Sequence, residues 1–396
     1  MNIVNITELI KMDSNSFSSE GSAWQWALDY AGLLPDQITG FAEKTGLSAF
    51  SIIDAIKTNC DQGRAVKDAL VELERYADKH DEEFLEEYLK ITAGHNLQAF
   101  INGVAESVNT PAIKTGFEKL DKALDGGLYE GLYMVGAITS LGKTTLVLQL
   151  ADLMAQNGKD VLIISLEMAR NELMAKSISR TTAELSVTDE KYGSAMNAKT
   201  ARGITDGARY RDYKQDELKL INDSIDQYSK YADHIFVIEG IGDISVQGIR
   251  EAVERHKTLT GNNPVVIVDY LQILFPYDAR ATEKINTDKA ITELKRISRD
   301  YKTPVIGISA YSRARYNEKA DMAAFKESGG IEYGSDVLIG LQYKGVGENN
   351  FDVDDAKKKN PRKIELVILK NRNGEAGQKI GYDYYPKFNW FRENDD

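Results

Sequence analysis

Short apolar runs recur along the chain from residue 115 onward, and segments with helical periodicity lie between most of them. Runs of this kind are typical of buried strands, and their alternation with helices predicts a parallel sheet covered on both faces. Between two runs, Ser245 and Gly261 mark the expected start and end of one helix. The runs span residues 133–136, 161–165, 235–238, 265–268, 305–308, 337–341 and 364–369. Residues 378–391 alternate in polarity instead, which predicts an antiparallel extension.

Before residue 96 the spacing of apolar positions is helical. It predicts a small all-α region over residues 1–95, with a long helix over residues 64–92. A short stripe follows at Leu97, Phe100, Ile101 and Val104, which has no apolar partner within its own segment. The pattern therefore divides the chain into residues 1–95, a connecting helix at 96–111 and an α/β domain at 112–396.

A glycine-rich loop lies between the first predicted strand and the next helix. Its sequence is Ala137-Ile-Thr-Ser140-Leu-Gly142-Lys143-Thr144-Thr145. It fits the pattern of a small residue, four variable residues, Gly, Lys and Ser or Thr, in the strand–loop–helix context that a phosphate-binding loop requires. Gly142 lets backbone N–H groups surround phosphate oxygens at the positive end of the helix. We expect Lys143 to reach the β- and γ-phosphates of ATP and Thr144 to hold Mg²⁺.

Charged residues follow three other predicted strands. Asp269 ends an apolar strand and fits the acid that orients Mg²⁺ in such sites. Glu167 stands just past residues 161–165, where it could activate an attacking water or simply favour the dipole of a following helix. Lys370 and Arg372 follow residues 364–369. Position alone favours a solvated surface for this basic pair.

Composition and charge exclude some classes of protein but leave the question of a nucleic-acid partner open. The 396 residues are 42% hydrophobic and 28% charged, Cys60 is the single cysteine, and no apolar run approaches the length of a membrane span. We therefore expect a cytoplasmic protein without disulfides and without a membrane partner. Of the net charge of −12, residues 1–110 carry −10, so the α/β domain is almost neutral. Charge alone neither favours nor excludes nucleic acid.

Six motifs occur in the order found in DnaB-type replicative DNA helicases, in the variety common on phages and mobile elements. The chain resembles their motor domain from about residue 97 to residue 390. The motifs are Thr115-Gly-Phe-x-x-Leu-Asp121, the phosphate loop, Ser165-Leu-Glu-Met168, Asp269-Tyr-Leu-Gln272, Lys326-Glu-Ser-Gly-Gly-Ile-Glu332 and Lys370-Asn-Arg-Asn-Gly374. The resemblance implies a RecA-like P-loop core, a homohexameric ring, and 5′ to 3′ movement along single-stranded DNA driven by ATP hydrolysis during replication.

The resemblance also implies roles for individual residues. Glu167 matches the catalytic glutamate, and Asp269 matches the acid that acts with Mg²⁺. Lys370 and Arg372 match a pair inserted into the neighbouring subunit's site, with Arg372 as the arginine finger. The residues that match the central DNA-holding loop are Lys326, Glu327 and Gly329. The stripe at residues 97–104 resembles a linker helix that docks on the adjacent subunit.

Two departures from the family pattern stand out. Ala310 replaces a glutamine that can sense the γ-phosphate, and we expect Arg313 or Ser312 to substitute for it and to link nucleotide to DNA. Residues 1–95 do not match the family's helical collar. Because primase docks on that collar, its docking surface cannot be carried over to this chain. The resemblance still implies a primase or a helicase loader as a partner.

Two other classes of protein share part of this pattern. A recombinase or repair ATPase has the same fold, the motif that begins at Thr115 and the phosphate loop. The motifs at Asp269 and Lys370 favour the helicase instead. A nucleotide-binding adaptor with little turnover is the third class. The presence of both Glu167 and Asp269 counts against it.

Overall fold

The computed structural model describes residues 17–108, 111–189, 192, 197–240, 243–276, 280–312, 318–325 and 328–394, with backbone alone at 80–84, 272 and 328. The chain divides into two compact units, Met1–Pro111 and Ala112–Asp396. Within the described ranges, no helix is both long and apolar enough to cross a membrane.

The described part of the first unit is helical, as the sequence predicts. Four helices pack around isoleucines and leucines that are fully buried, among them Ile38, Ile52, Ile56 and Leu73. These helices are Glu20–Asp29 (α1), Pro35–Thr45 (α2), Ala49–Asp61 (α3) and Val66–Leu89 (α4), and Ala93–Ser107 (α5) follows. The long helix predicted over residues 64–92 is α4. Every residue of α5 is exposed.

Among its described residues, the second unit is built on a sheet of nine strands. The strands are Gly131–Ala137 (β1), Val161–Ser165 (β2), Ile235–Glu239 (β3), Val265–Asp269 (β4), Pro304–Ala310 (β5), Val337–Tyr343 (β6), Arg362–Asn371 (β7), Lys379–Tyr385 (β8) and Trp390–Glu393 (β9). Their order is β3-β2-β4-β5-β1-β6-β7-β8-β9. In this order, β3, β2, β4, β5, β1 and β6 run parallel to one another. The strands β7, β8 and β9 each pair antiparallel with the strand before them.

Helices accompany the parallel strands. They are Glu118–Ala123 (α6), Lys143–Gln156 (α7), Arg170–Thr188 (α8), Ala201–Thr205 (α9), Gln215–Ser229 (α10), Val246–Thr260 (α11), Glu283–Tyr301 (α12), Ser328–Gly334 (α13) and Val353–Lys358 (α14). All residues of β1, β2 and β4 are buried. Because successive side chains of a strand point to opposite faces, both faces of the central sheet are covered.

The sequence predictions hold for most of this unit. All seven apolar runs are strands. The helix α11 begins directly after Ser245, whose side chain caps it by accepting a hydrogen bond from the Gly248 N–H. The antiparallel extension is present as β8 and β9. The run at residues 364–369 belongs to β7, which pairs antiparallel with β6, so the sheet is mainly but not entirely parallel. After β6 the chain turns back on itself, and the Lys344 N–H donates to the Lys363 carbonyl at 3.0 Å.

Candidate nucleotide site and distant arginine

The carboxyl ends of four neighbouring strands, β2, β4, β5 and β1, meet at one edge of the sheet. The register there pairs Ser165 with Asp269 and Ala137 with Ala310. A cavity of about 460 Å³ opens at this edge. Its lining brings together the predicted site residues Ser140, Gly142, Lys143, Thr144, Thr145, Glu167 and Asp269, and also includes Ala310. Ala137 is fully buried just behind the loop.

Gly142 is required by the shape of the loop. Its φ of 100° lies in the left-handed region, and α7 begins at the next residue. A Cβ atom at this position would lie 2.9 Å from the rings of Tyr384 and Phe391. Those two rings stack on each other with centroids 4.1 Å apart. Any side chain at residue 142 would therefore be strained in the backbone and would also collide with this pair.

The helix behind the loop is held by buried polar contacts. The Gln149 side chain on α7 donates to the Phe391 carbonyl and accepts from the Phe391 N–H, both at 2.8 Å. Asp152, also on α7, forms an ion pair with Arg180 of α8, and both side chains are almost completely buried. These contacts fix the positive end of α7 toward the cavity, where it favours an anion.

Lys143 folds back onto the loop. Its Nζ donates to the carbonyl oxygens of Ala137 at 2.9 Å and Ile138 at 3.2 Å. Burial lowers the pKa of Lys143 to about 8, against the opposing effect of Asp269 and Glu167. Phosphate oxygens would give this ammonium charged acceptors in place of neutral carbonyls. Charged acceptors form the stronger hydrogen bonds with an ammonium group.

Asp269 is buried, with 4% of its surface exposed. Burial raises its pKa to about 6, and the Thr144 hydroxyl lowers it in part without completing a hydrogen bond of ordinary geometry. Both carboxylate oxygens therefore lack a full hydrogen-bond partner among the described residues. A carboxylate and a hydroxyl in this state fit a hard cation such as Mg²⁺, which takes oxygen ligands and keeps several waters.

Glu167 stands on the turn after β2. The Ser165 hydroxyl donates to the Met168 carbonyl at 2.6 Å, and the Leu166 N–H donates to the Asp269 carbonyl at 2.8 Å, so the turn is tied to itself and to β4. The Glu167 side chain is exposed and lines the cavity. An exposed carboxylate at this place can reach a water beside a bound phosphate.

The cavity residues that were not identified from the sequence include Lys176, Arg362 and Tyr384. Lys176 lies on α8 and faces the carboxylates of Asp269 and Glu167; burial lowers its pKa, and these acids oppose the change. Arg362 begins β7, and its Nη1 donates to the Ser140 carbonyl at 3.3 Å. Tyr384 comes from β8. The positions of the last two depend on the antiparallel direction of β7 and β8, and no local sequence signal marks Lys176.

Lys370 and Arg372 lie at the other edge of the sheet. The Lys370 Nζ donates to the carbonyls of Glu332 and Ser335, at 2.6 Å and 2.8 Å. The Arg372 guanidinium lies 3.4 Å from the Asp336 carboxylate and is half-exposed. The structure therefore does not bring this pair to its own phosphate loop.

The predicted DNA-contacting residues are only partly within the described ranges. Lys326, Glu327 and Arg313 lie outside them. Gly329 belongs to the short helix α13. Ala310 ends β5, as the register of the sheet requires, and its methyl group is directed to the nucleotide cavity.

Comparison with known proteins gives one family. The DnaB-like helicase C-terminal domain matches residues 112–393. The replicative DNA helicase DnaB of Geobacillus stearothermophilus is 28% identical over 273 residues, which cover 67% of this chain and 53% of the relative. The replicative DNA helicase DnaC of Bacillus subtilis is 28% identical over 312 residues, with 77% and 59% covered. The chain thus spans a little over half the length of these relatives.

Solved structures show the same fold. The ATPase domain of G40P matches with a TM-score of 0.63 and 23% identity, over 77% of this chain and all of that domain. A DnaB-like replicative helicase, solved for its interactions with primase, matches with a TM-score of 0.60 and 19% identity, over 89% of this chain and 87% of the other. With the family match covering the whole α/β unit, the chain belongs to the DnaB-like helicases, through their C-terminal domain.

Proposed function

We propose that this chain is the motor of a DNA helicase that hydrolyses ATP to move 5′ to 3′ along single-stranded DNA in replication. The observation that supports the proposal most strongly is the cavity that gathers Lys143, Thr144, Glu167 and Asp269 on the motor fold of a helicase family. Lys143 and Thr144 follow β1, Glu167 follows β2 and Asp269 ends β4. Their convergence at one sheet edge therefore comes from the fold rather than from sequence proximity.

Different residues of the cavity have different roles in hydrolysis. Lys143 leaves the loop carbonyls and binds the β- and γ-phosphates, while the N–H groups at the start of α7 hold the phosphate oxygens. Glu167 accepts a proton from the attacking water. Thr144 and Asp269 would hold Mg²⁺, which neutralises charge on the phosphates when bound. Lys176, as a second cation beside the two carboxylates, stabilises negative charge on the phosphate side of the cavity.

Arg372 completes the site of a neighbouring subunit. It is half-exposed and lies at the sheet edge away from its own loop, as a residue acting across a subunit boundary must. Lys370 donates to two carbonyls at the carboxyl end of α13, so it ties this edge to the helix that follows the DNA loop. A homohexameric ring provides one such neighbour for every subunit.

Ring assembly has a candidate contact in α5. Leu97, Phe100, Ile101 and Val104 form a stripe that is 49–67% exposed, and apolar side chains so arranged need another surface to cover them. The α/β unit has a groove of about 650 Å³ between α11 and α12, whose lining includes the apolar residues Leu271, Leu274 and the half-exposed Phe275. We assign this groove to the stripe of a second copy of the chain.

Single-stranded DNA is assigned to the segment that contains Lys326, Glu327 and Gly329, on the basis of the family resemblance. One structurally similar helicase was solved for its interactions with primase. We therefore include a primase or a helicase loader among the partners of this chain. No surface is assigned to either, because residues 1–95 do not match the family's collar.

The alternative classes make different assemblies. Electron microscopy of the purified protein with a non-hydrolysable ATP analogue and single-stranded DNA separates them. The helicase proposal expects closed rings that surround the DNA. A helical filament on DNA would support a recombinase-type ATPase, and particles that neither assemble nor bind DNA would support a nucleotide-binding adaptor.

A further inference from the structure

The segment that leads from β5 to the DNA loop is closed at its base by two aromatic residues. Tyr311 and Phe325 form an isolated antiparallel bridge, and the Ser312 N–H donates to the Ala324 carbonyl at 2.8 Å. The two rings meet edge to face, with centroids 5.1 Å apart. Both residues are buried, with 5% and 2% of their surfaces exposed. We refer to Tyr311 and Phe325 as the aromatic pair.

The aromatic pair packs directly on the backbone of the central sheet. A Cβ atom at Gly136 of β1 would lie 2.3 Å from the Phe325 ring and 2.6 Å from the Tyr311 ring. A Cβ atom at Gly340 of β6 would lie 2.5 Å from the Tyr311 hydroxyl. A side chain at either glycine would collide with the aromatic pair. A shift of β1 near the phosphate loop must move the pair, because close-packed groups transmit displacement.

A hydrogen bond connects the aromatic pair to the nucleotide site. The Tyr311 N–H donates to the Ala137 carbonyl at 3.1 Å. The same oxygen accepts from the Lys143 Nζ at 2.9 Å. When Lys143 turns to a phosphate, the Ala137 carbonyl loses its charged donor and keeps the hydrogen bond from the Tyr311 N–H. The bond at the base of the loop therefore has two states, one with nucleotide and one without.

The other end of the pair leads to the DNA contact. Phe325 directly precedes Lys326, the first residue of the motif assigned to the DNA backbone. Ala310, which directly precedes Tyr311, has only a methyl group at the cavity and cannot hydrogen-bond a phosphate. The connection through Ala137, Tyr311 and Phe325 passes beside this position without using its side chain.

We propose that Tyr311 and Phe325 are positioning residues that transmit the state of the nucleotide site to the DNA-contacting loop. This inference rests on the proposed function. It differs from the expectation that Arg313 or Ser312 replaces the missing amide, since it requires only packing and one backbone hydrogen bond.

The test uses the full chain and the variants Phe325→Leu and Tyr311→Leu, with Tyr311→Phe as the conservative variant. Three quantities are measured: ATP hydrolysis without DNA, its stimulation by single-stranded oligonucleotide, and the affinity for that oligonucleotide with ADP and with a non-hydrolysable ATP analogue. Both leucine variants should lose at least about fivefold of the DNA stimulation and of the nucleotide-dependent difference in affinity, the lower end of typical coupling energies. Hydrolysis without DNA should stay within about twofold, and Tyr311→Phe should behave as wild type because it keeps the ring.

The matched control is Phe117→Leu. Phe117 is buried and also meets a tyrosine, Tyr382, edge to face at 5.1 Å, but it lies before β1 and outside the DNA segment. It should leave the stimulation unchanged. Thermal unfolding of every variant checks that it is folded, and the two leucine variants disrupt the pair from opposite sides.

Two results would overturn the inference. One is full DNA stimulation in both leucine variants. The other is a proportional loss of basal and stimulated hydrolysis in these variants and in Phe117→Leu, as a general loss of packing would produce. If the wild-type protein itself shows neither DNA stimulation nor nucleotide-dependent DNA affinity, the proposed function fails and this inference fails with it.

Discussion

Arg362 is the first residue of β7 and Arg372 directly follows its last residue, so the two arginines lie at opposite ends of this strand. Arg362 donates to the Ser140 carbonyl of the phosphate loop at 3.3 Å, whereas Arg372 lies 3.4 Å from Asp336. A strand of this length spans about 30 Å at roughly 3.4 Å per residue, far beyond the reach of an arginine side chain. Arg372 therefore lies out of reach of the phosphate loop of its own chain.

This geometry predicts complementation between two inactive variants. Arg372→Ala and Lys143→Ala chains should each hydrolyse ATP very slowly, because an arginine finger contributes about 10³–10⁵ to the rate. Mixed and allowed to exchange subunits, they should recover part of the activity, since some interfaces then join an intact loop to an intact Arg372. Steady-state hydrolysis across mixing ratios measures the recovery.

The matched control for complementation is Arg299→Ala. Arg299 is an exposed arginine of the same unit and is paired with Asp300 on its own helix. This variant should be active alone. Absence of recovery in mixtures whose subunit exchange has been demonstrated would show that the site is completed within one chain.

Glu167→Gln should separate binding from chemistry. The amide keeps the size of the side chain but cannot accept the proton of the attacking water, so hydrolysis should fall by about 10²–10⁴-fold while nucleotide affinity is retained. Lys143→Ala should instead weaken nucleotide binding. Glu172→Gln is the control, because Glu172 caps α8 through the Ala169 N–H and a glutamine oxygen can do the same. Wild-type turnover in Glu167→Gln would remove this residue from the mechanism.

Asp160 should make the free energy of unfolding depend on pH in the acidic range. This buried carboxylate accepts from Asn262 at 3.0 Å and contacts His234 and His256 at 2.8 Å and 3.2 Å. Burial alone would raise its pKa, but these hydrogen bonds outweigh burial and the pKa lies below the usual value. A lowered carboxylate pKa adds stability above the unfolded-state value of about 4, and this stability is lost as the pH falls through the folded-state value.

Urea unfolding of wild type and Asp160→Asn tests this dependence. At pH 7 the variant should be less stable by about 1–3 kcal/mol, the cost of leaving buried partners unsatisfied. The difference should shrink as the pH falls below about 4. Asp233→Asn, which removes an exposed carboxylate beside His234, should change little at either pH. A difference that is the same at both pH values would mean that the Asp160 charge does not contribute.

The exposed stripe of α5 predicts that assembly depends on this helix. Phe100→Asp should weaken ring formation, because it places a charge on the face that a second copy covers. Asn102→Asp adds the same charge to the same helix outside the stripe and should have little effect. Light scattering with nucleotide measures both, together with a chain that lacks residues 1–108. Stable hexamers of the shortened chain or of Phe100→Asp would exclude this role.

The sequence predicts the parts of the site that depend on strand ends and not those that depend on strand direction. Asp269 and Glu167 could be placed together because carboxyl ends of parallel strands meet at one edge. Arg362 and Tyr384 could not, since apolar periodicity does not distinguish a parallel β7 from an antiparallel one. Lys176 depends on the rotation of α8 about its own axis, which its sequence does not specify.

We propose that ATP hydrolysis at this site drives movement on single-stranded DNA. The most direct measurement is strand separation of forked duplexes whose 5′ or 3′ tail is replaced by duplex, with ATP and Mg²⁺. Wild type should separate forks that keep a single-stranded 5′ tail and fail on forks that keep only the 3′ tail, and Glu167→Gln should separate neither. Hydrolysis that is stimulated by DNA but separates no substrate, or separation that needs only the 3′ tail, would contradict it.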